Sequence, residues 1–253
     1  MTDYYQSKEM NWDAGHRLWP LPNLPWVMKQ TWNDLLFAHF PVRFDVLRKL
    51  VPEVFPLDTY DGMCWIGVVP FHMTSIRLRG LPPVPGTDKF PELNVRTYVT
   101  IDGKPGVYFF SLDAKNLLAV KVARTFYHLP YIHAQMKVEK HGDVIGYESR
   151  RKSGDAQFIA DYRPVSEPYF AKQGSFDEWL VERYCLYTLN GRGIPLRCDI
   201  LHHPWLLQNA ESEIKVNTML SSLGFSIEND KPILHYSKKI EVRMWPLVKV
   251  FEN

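Results

Sequence analysis

A run of strict alternation that ends in a turn signal constrains the fold of this chain more than any other feature. From Leu93 to Ile101 the residues alternate between two unlike faces, and Asp102-Gly103 follows directly. Period-two alternation is typical of a β-strand, and Asp-Gly between two such runs is a strong signal for a tight hairpin. The stretch from 90 to 114 therefore predicts a β-hairpin.

The length of the hairpin loop decides which side chains share a face. A two-residue loop pairs Ile101 with Lys104, and a four-residue loop pairs Ile101 with Gly106. Both pair even-numbered with odd-numbered residues, and directly opposite side chains point the same way. A three- or five-residue loop would reverse this parity. With even–odd pairing, one face carries Glu92, Asn94, Arg96, Tyr98, Phe109, Ser111 and Asp113.

This polar face allows more than one interpretation. The return strand at 107–112, "VYFFSL", is apolar on both faces, whereas a half-wet strand would alternate more cleanly. An enclosed Arg96 needs a carboxylate or an anion, because an unpaired buried charge costs on the order of several kcal/mol. Glu92 and Asp113 are its expected partners. The face either lines a lumen suited to a small carboxylate or carbonyl ligand, or is a solvated surface or a structural ion pair.

Strand signals dominate the rest of the chain. They recur at 31–42, 63–79, 131–164, 195–203 and 233–248. The best helix signal is at 116–130, where Asn116 can cap the helix and Pro130 ends it. Many strands with two or three inserted helices predict an α+β fold, mainly antiparallel and curled into a barrel. No shift in composition marks a linker, so we expect one domain over 1–253, with 1–30 as an N-terminal arm.

Composition excludes several classes of partner. The chain has 30 basic and 28 acidic residues and a formal net charge of +2, which gives no reason to expect nucleic acid or an anionic membrane. Its three cysteines form no CxxC pair and favour a cytoplasmic location over a disulfide framework. No apolar run is long enough to span a membrane. We expect a small-molecule ligand and leave homo-oligomer formation open.

Four segments of the chain resemble a known family. They are 35–71, 90–99 ("FPELNVRTYV"), 106–114 ("GVYFFSLDA") and 123–136 ("ARTFYHLPYIHAQM"). Together they resemble the YqjF-like uncharacterised proteins of the acetoacetate-decarboxylase-like superfamily, over about residues 30–250. The resemblance implies an antiparallel β-barrel or cone with a central cavity and a few helices packed outside. This agrees with the strand signals.

The resemblance does not extend to the reactive lysine of the decarboxylase. In that enzyme the lysine follows the helix, in a Tyr-Pro-Lys-Lys stretch, but here the segment is "FYHLPYI" at 126–132. A Schiff base needs a lysine with a lowered pKa, and His128, Pro130 and Tyr131 stand near its place instead. Glu92 matches the site glutamate, whereas Lys29 and Gln30 replace an arginine. Classical decarboxylation is therefore not expected.

Two functions follow from these residues. The first is a small-molecule-binding barrel without strong catalysis. The second is an enzyme that acts on a small keto acid by non-covalent acid–base chemistry, with Arg96 holding the carboxylate. The candidate catalytic residues are Glu92, Asp113 and Tyr131, with Tyr98 as a second proton donor. The candidate ligand-binding residues are Asn94, Arg96, Tyr98, Phe109, Ser111 and His128.

Other polar residues receive simpler interpretations. Lys121 is expected at the surface, with its stem along the helix. Glu182 and Arg183 are expected to form a surface pair, with a place in the cavity as the alternative. The pairs His128/His133 and His202/His203 lack a zinc-ligand spacing, so we expect no metal site and no cofactor.

Overall fold

The computed structural model describes residues 14–83, 86, 88–224 and 231–251. Strands make up most of the described chain. The strands are β1 (Met28–Val42), β2 (Cys64–Leu78), β3 (Phe90–Ile101), β4 (Lys104–Ala114), β5 (Tyr131–His141), β6 (Val144–Arg151), β7 (Gln157–Pro164), β8 (Tyr169–Phe170), β9 (Cys185–Leu189), β10 (Pro195–Leu201), β11 (Leu206–Asn217) and β12 (Ile233–Lys249). The helices are α1 (Phe44–Arg48), α2 (Leu117–Tyr127) and α3 (Phe176–Val181), with a 3-10 turn at Ser221–Leu223.

The strands form one sheet in the order β3-β2-β1-β12-β10-β9-β4-β5-β6-β7-β11-β8. Two further pairings, β3–β4 and β12–β11, join strands that are apart in this order. The β3–β4 pairing joins the first strand of this order to the seventh, so that the path from β3 to β4 forms a closed circuit. Strand β4 pairs in parallel with β5 and β9, and the other pairs are antiparallel. Of the predicted α+β fold, the mainly antiparallel strands and the few short helices are confirmed, and strands prevail.

The predicted hairpin is present, with the shorter of the two loops considered. Ile101 pairs with Lys104, so the loop has two central residues. Asp102 and Gly103 both have positive φ, at 50° and 68°. Positive φ at both positions is the signature of a type I′ turn, whose twist matches that of the flanking strands.

A bulge in β4 changes the facing of the residues farther from the turn. Arg96 pairs with Phe109, but the preceding residue Val95 pairs with Ser111, so Phe110 is an extra residue. An inserted residue reverses the side-chain alternation beyond it. Ser111 and Asp113 therefore lie on the other face of the hairpin from Arg96. The prediction that they share the face of Arg96 is wrong.

Both faces of the hairpin are buried. The odd-numbered face of β3, with Val95, belongs to one apolar cluster, which includes Met136 and Tyr147 of the β5–β6 pair. The even-numbered face belongs to a second cluster, in which Tyr98 lies with Phe37. The exposed fractions of the polar row are 4% for Glu92, 5% for Asn94, 7% for Arg96 and 0% for Tyr98. These values exclude the solvated-surface interpretation.

The described part of the N-terminal arm, residues 14–27, lies against β10 and β12. Arg17 pairs with Asp199 of β10 at 2.7 Å, and both side chains are buried. The Trp245 indole of β12 donates to the Leu24 carbonyl at 2.7 Å. In the described ranges no helix is both long and apolar enough to cross a membrane.

Candidate functional site

A cavity of about 60 Å³ lies on the even-numbered face of β3. At about 10–15 Å³ for each water, this space holds roughly four to six water molecules. Aromatic and aliphatic side chains, among them Trp32, Phe109 and Trp205, form much of the wall. The polar residues of the wall are Gln30, Glu92, Asn94, Arg96, Tyr131, Arg183 and His202.

Arg96 places a cation in this cavity without a carboxylate partner. No acidic side chain among the described residues lies within 4.0 Å of its guanidinium, and its Nε has no hydrogen-bond partner. Its Cζ lies 5.3 Å from the Phe37 ring centre and 5.9 Å from that of Tyr98. Aromatic faces attract a cation but do not replace an anionic partner. The geometry therefore suits an anion that enters the cavity.

Glu92 and Tyr131 form a hydrogen-bonded pair at the cavity wall. The Tyr131 hydroxyl donates to Glu92 Oε2 at 2.8 Å. The residue before β5 is Pro130, and the parallel pairing of Leu112 with Tyr131 holds the tyrosine beside the hairpin. Burial raises the pKa of Glu92 to about 8, against the smaller opposing effect of the Tyr131 hydrogen bond. Glu92 is thus protonated at neutral pH and can donate or accept a proton.

The other predicted ligand-binding residues divide into three groups. Asn94 and Phe109 line the cavity, and their contact with a ligand stays a prediction. Tyr98 is fully buried next to Arg96 but is not part of the lining. His128 is exposed, and its backbone carbonyl accepts a hydrogen bond from the Thr188 hydroxyl at 2.7 Å. The α2–β5 turn directs His128 to solvent, outside the cavity lining in which it was predicted.

Asp113 and Ser111 belong to an ion pair on the opposite face of the hairpin. The Arg151 Nε donates to Asp113 Oδ1 at 2.9 Å, and its Nη2 donates to Ser111 Oγ at 2.6 Å. Ser149 Oγ adds a hydrogen bond to Asp113 Oδ2 at 3.2 Å. These contacts place Asp113 and Ser111 outside the lining of the cavity in which they were predicted to act. The bulge at Phe110 is the physical reason.

The structure also brings in residues that the sequence interpretation discounted. Arg183 is buried in the wall rather than at the surface, and its Nη1 pairs with Asp58 at 2.6 Å. His202 is buried too, with Nδ1 2.7 Å from the His203 carbonyl oxygen. Burial lowers the pKa of His202 to about 4, so the ring is neutral at neutral pH. The available signal in the sequence was an ionisable residue next to apolar ones, just after α3 for Arg183 and just after β10 for His202.

Comparison with known proteins identifies the family. A family model described as an uncharacterized conserved protein, DUF2071, matches residues 29–241. The chain belongs to the DUF2071 family. It is 53% identical over 250 residues to the uncharacterized protein YqjF of Bacillus subtilis (strain 168), which covers 98% of this chain and 99% of YqjF. The YqjF-like resemblance is confirmed.

Two solved structures are similar in fold to the DUF2071 chain. Acetoacetate decarboxylase from Legionella pneumophila aligns with a TM-score of 0.59 and 15% identity, over 93% of each chain. The enduracididine biosynthesis enzyme MppR, complexed with pyruvate, aligns with a TM-score of 0.61 and 8% identity, over 91% of this chain and 92% of MppR. At these identities the likeness shows the fold alone.

The DUF2071 cavity differs from a Schiff-base site in its chemistry. None of the described residues that line it is a lysine. Lys121 is exposed on α2, as predicted. A carbonyl compound in this cavity therefore meets hydrogen-bonding and charged groups but no amine nucleophile. Among the described residues no group of three or more His, Cys, Asp or Glu side chains is arranged to hold a metal ion.

Proposed function

We propose that this protein binds a small organic monoanion in the cavity, with the carboxylate on Arg96 and a carbonyl or hydroxyl oxygen near Glu92 and Tyr131. The observation that carries the proposal is the buried Arg96 guanidinium, which lines the cavity and has no acidic partner among the described residues. A bound carboxylate supplies the missing charge and accepts a hydrogen bond from the unpartnered Nε.

The charges of the wall favour an anion with a single charge. Glu92 is neutral at neutral pH, since burial raises its pKa to about 8. Asp58 pairs with Arg183, so that the charge of Arg96 is left uncompensated. The apolar wall, which includes Trp32 and Leu112, would hold the carbon skeleton of the ligand.

We infer that the strand pairings close into a barrel or cone around this cavity. The β3–β4 pairing that joins both ends of the path, and the apolar cluster on the cavity side of β3, support this architecture. We also propose a cytoplasmic location, because the three cysteines are buried and form no disulfide.

A second candidate function is non-covalent acid–base catalysis on a small keto acid. The Glu92–Tyr131 pair favours it, because a carboxyl with a pKa of about 8 exchanges protons readily near neutral pH. In this scheme Arg96 orients the substrate carboxylate and Glu92 transfers the proton. Such a reaction needs no covalent intermediate with the protein.

Ligand binding to Arg96 variants tests the proposal. Pyruvate is a suitable probe, because a structural neighbour is described as complexed with it. We expect calorimetry to detect pyruvate binding to the wild type and at least about a tenfold loss in Arg96→Met. Arg163→Met, which removes an exposed arginine, is the control for net charge and should bind as the wild type does.

Two results would contradict the proposal. Unchanged pyruvate affinity in a folded Arg96→Met protein would show that Arg96 does not hold the anion. A stable adduct after treatment with pyruvate and borohydride would show that a lysine forms a Schiff base, contrary to the cavity chemistry. Turnover of keto acids without such an adduct would favour the acid–base function over simple binding.

A further inference from the structure

We propose that Asp58, which is not part of the cavity wall, determines the charge of the ligand that the cavity accepts, by pairing with Arg183. The inference rests on the proposed function, since it concerns the same cavity. It assigns a specificity role to a residue on the connection between α1 and β2.

Asp58 is held firmly beside the hairpin. Its backbone N–H donates to the Tyr98 carbonyl at 2.9 Å, and the Thr100 hydroxyl donates to its Oδ2 at 2.9 Å. The same oxygen accepts from Arg183 Nη1 at 2.6 Å. The carboxylate is therefore anchored by β3, and its position relative to Arg183 is fixed.

Arg183 is the second guanidinium of the cavity. Its Nε donates to the Trp179 carbonyl at 2.8 Å, whereas its buried Nη2 has no hydrogen-bond partner. Its Cζ lies 4.9 Å from the centre of the Tyr98 ring, and the Cζ of Arg96 lies 5.9 Å from the same ring. Two cations thus flank one buried aromatic ring, and both line the cavity.

Asp58 balances one of these two cations. With its carboxylate present, the two guanidiniums and Asp58 sum to a single positive charge, which matches a monoanion. Without it, the sum is two positive charges, which matches a dianion. The interaction is strong because the two guanidiniums are buried, where solvent screens charges weakly.

The test is a comparison of two probes in Asp58→Asn. Pyruvate carries one negative charge and oxalate two at about pH 6.5, and both have the same number of non-hydrogen atoms. At this pH Glu92 and His202 are uncharged, because burial raises the pKa of the first to about 8 and lowers that of the second to about 4. Calorimetry should show the oxalate-to-pyruvate affinity ratio rising about tenfold or more over the wild type.

Two controls and one alternative variant make the outcome specific. Glu211→Gln removes an exposed carboxylate that pairs with Arg163, and should leave the ratio unchanged. The double variant Asp58→Asn/Arg183→Gln should return the ratio toward the wild-type value. Asp58→Ser serves as the second variant if the asparagine protein does not fold.

The outcomes separate this inference from the proposed function. An unchanged ratio in a folded Asp58 variant, alongside pyruvate binding by the wild type, overturns the role of Asp58 and leaves the role of Arg96 intact. Failure of the wild type to bind either probe overturns the proposed function itself. A ratio that rises equally in Glu211→Gln reflects net charge and also overturns the inference.

Discussion

The two faces of the β3–β4 hairpin each bury an arginine, but in opposite states. On one face Arg151 is paired with a carboxylate, with Asp113 at 2.9 Å, and also contacts Ser111 at 2.6 Å. On the other face Arg96 contacts aromatic rings and has no acidic partner among the described residues. A single extra residue, Phe110, separates them, because it moves Asp113 away from Arg96. The presence or absence of a carboxylate partner distinguishes a stabilising ion pair from a site that can bind an anion.

The largest expected effect concerns the pH dependence of the cavity face. The pKa of Glu92 is about 8 in the folded protein, against an ordinary value of 4.5 for a solvated glutamate, so the folded state retains a proton that the unfolded state loses in this window. Stability from this residue is therefore present below about pH 4.5 and is lost as the pH rises to about 8. The loss in the free energy of unfolding over this pH range is on the order of 5 kcal/mol.

Urea denaturation of the wild type and Glu92→Gln at several pH values measures this effect. As the pH rises from about 5 to about 8, the free energy of unfolding of the wild type should fall relative to that of the glutamine variant. A constant difference between the two proteins across this range would mean that Glu92 is not held protonated by burial.

The next largest effect compares the two arginines directly. Arg151→Gln leaves the buried Asp113 without its cation, which should lower the free energy of unfolding by about 3 kcal/mol. Arg96→Met removes a buried cation that has no acidic partner to lose, so the stability should be unchanged or higher. Chemical denaturation of both variants checks the difference. Equal destabilisation by the two changes would remove the contrast between the faces.

The smallest expected effect is that of the Tyr131 hydroxyl on the pKa of Glu92. Its hydroxyl donates to Glu92, which favours the ionised carboxylate and lowers its pKa. Tyr131→Phe should therefore raise the pKa of Glu92 further, by less than about one pH unit. Carbon-13 NMR of the Glu92 carboxyl as a function of pH reports the change. An unchanged pKa in the variant would mean that the hydroxyl donates elsewhere, and a lower one that it accepts from the protonated carboxyl.

The sequence predicted the half of the hairpin next to the turn better than the half beyond Phe110. Asp102-Gly103 fixed the turn and the pairing of Ile101 with Lys104, since few other turn types accept positive φ twice. Phe110 gives no comparable signal, because a bulge in a strand that is apolar on both faces leaves the pattern unchanged. Asp113 was therefore assigned to the wrong face.

The candidate site shows the same limit. Glu92, Asn94 and Arg96 were predicted together because they lie on one strand with a clear period of two. Arg183 and His202 lie roughly 90 or more residues further along the chain, and their place in the cavity depends on how distant strands pair. Period and turn chemistry describe neighbours in sequence and carry no information about that pairing.

The closing pairing between β3 and β4 has a further consequence for the behaviour of the protein in concentrated solution. Strand order begins with β3, whose outer side is covered by β4, and ends with β8, which has two residues, Tyr169 and Phe170. Unpaired backbone groups along a long edge strand are a template for another chain. In the described part of this sheet neither end of the strand order offers such a template. The longer one-sided stretches lie along β5 after His133 and β11 after Asn209, where charged residues such as Lys137 and Glu213 should oppose edge-to-edge pairing.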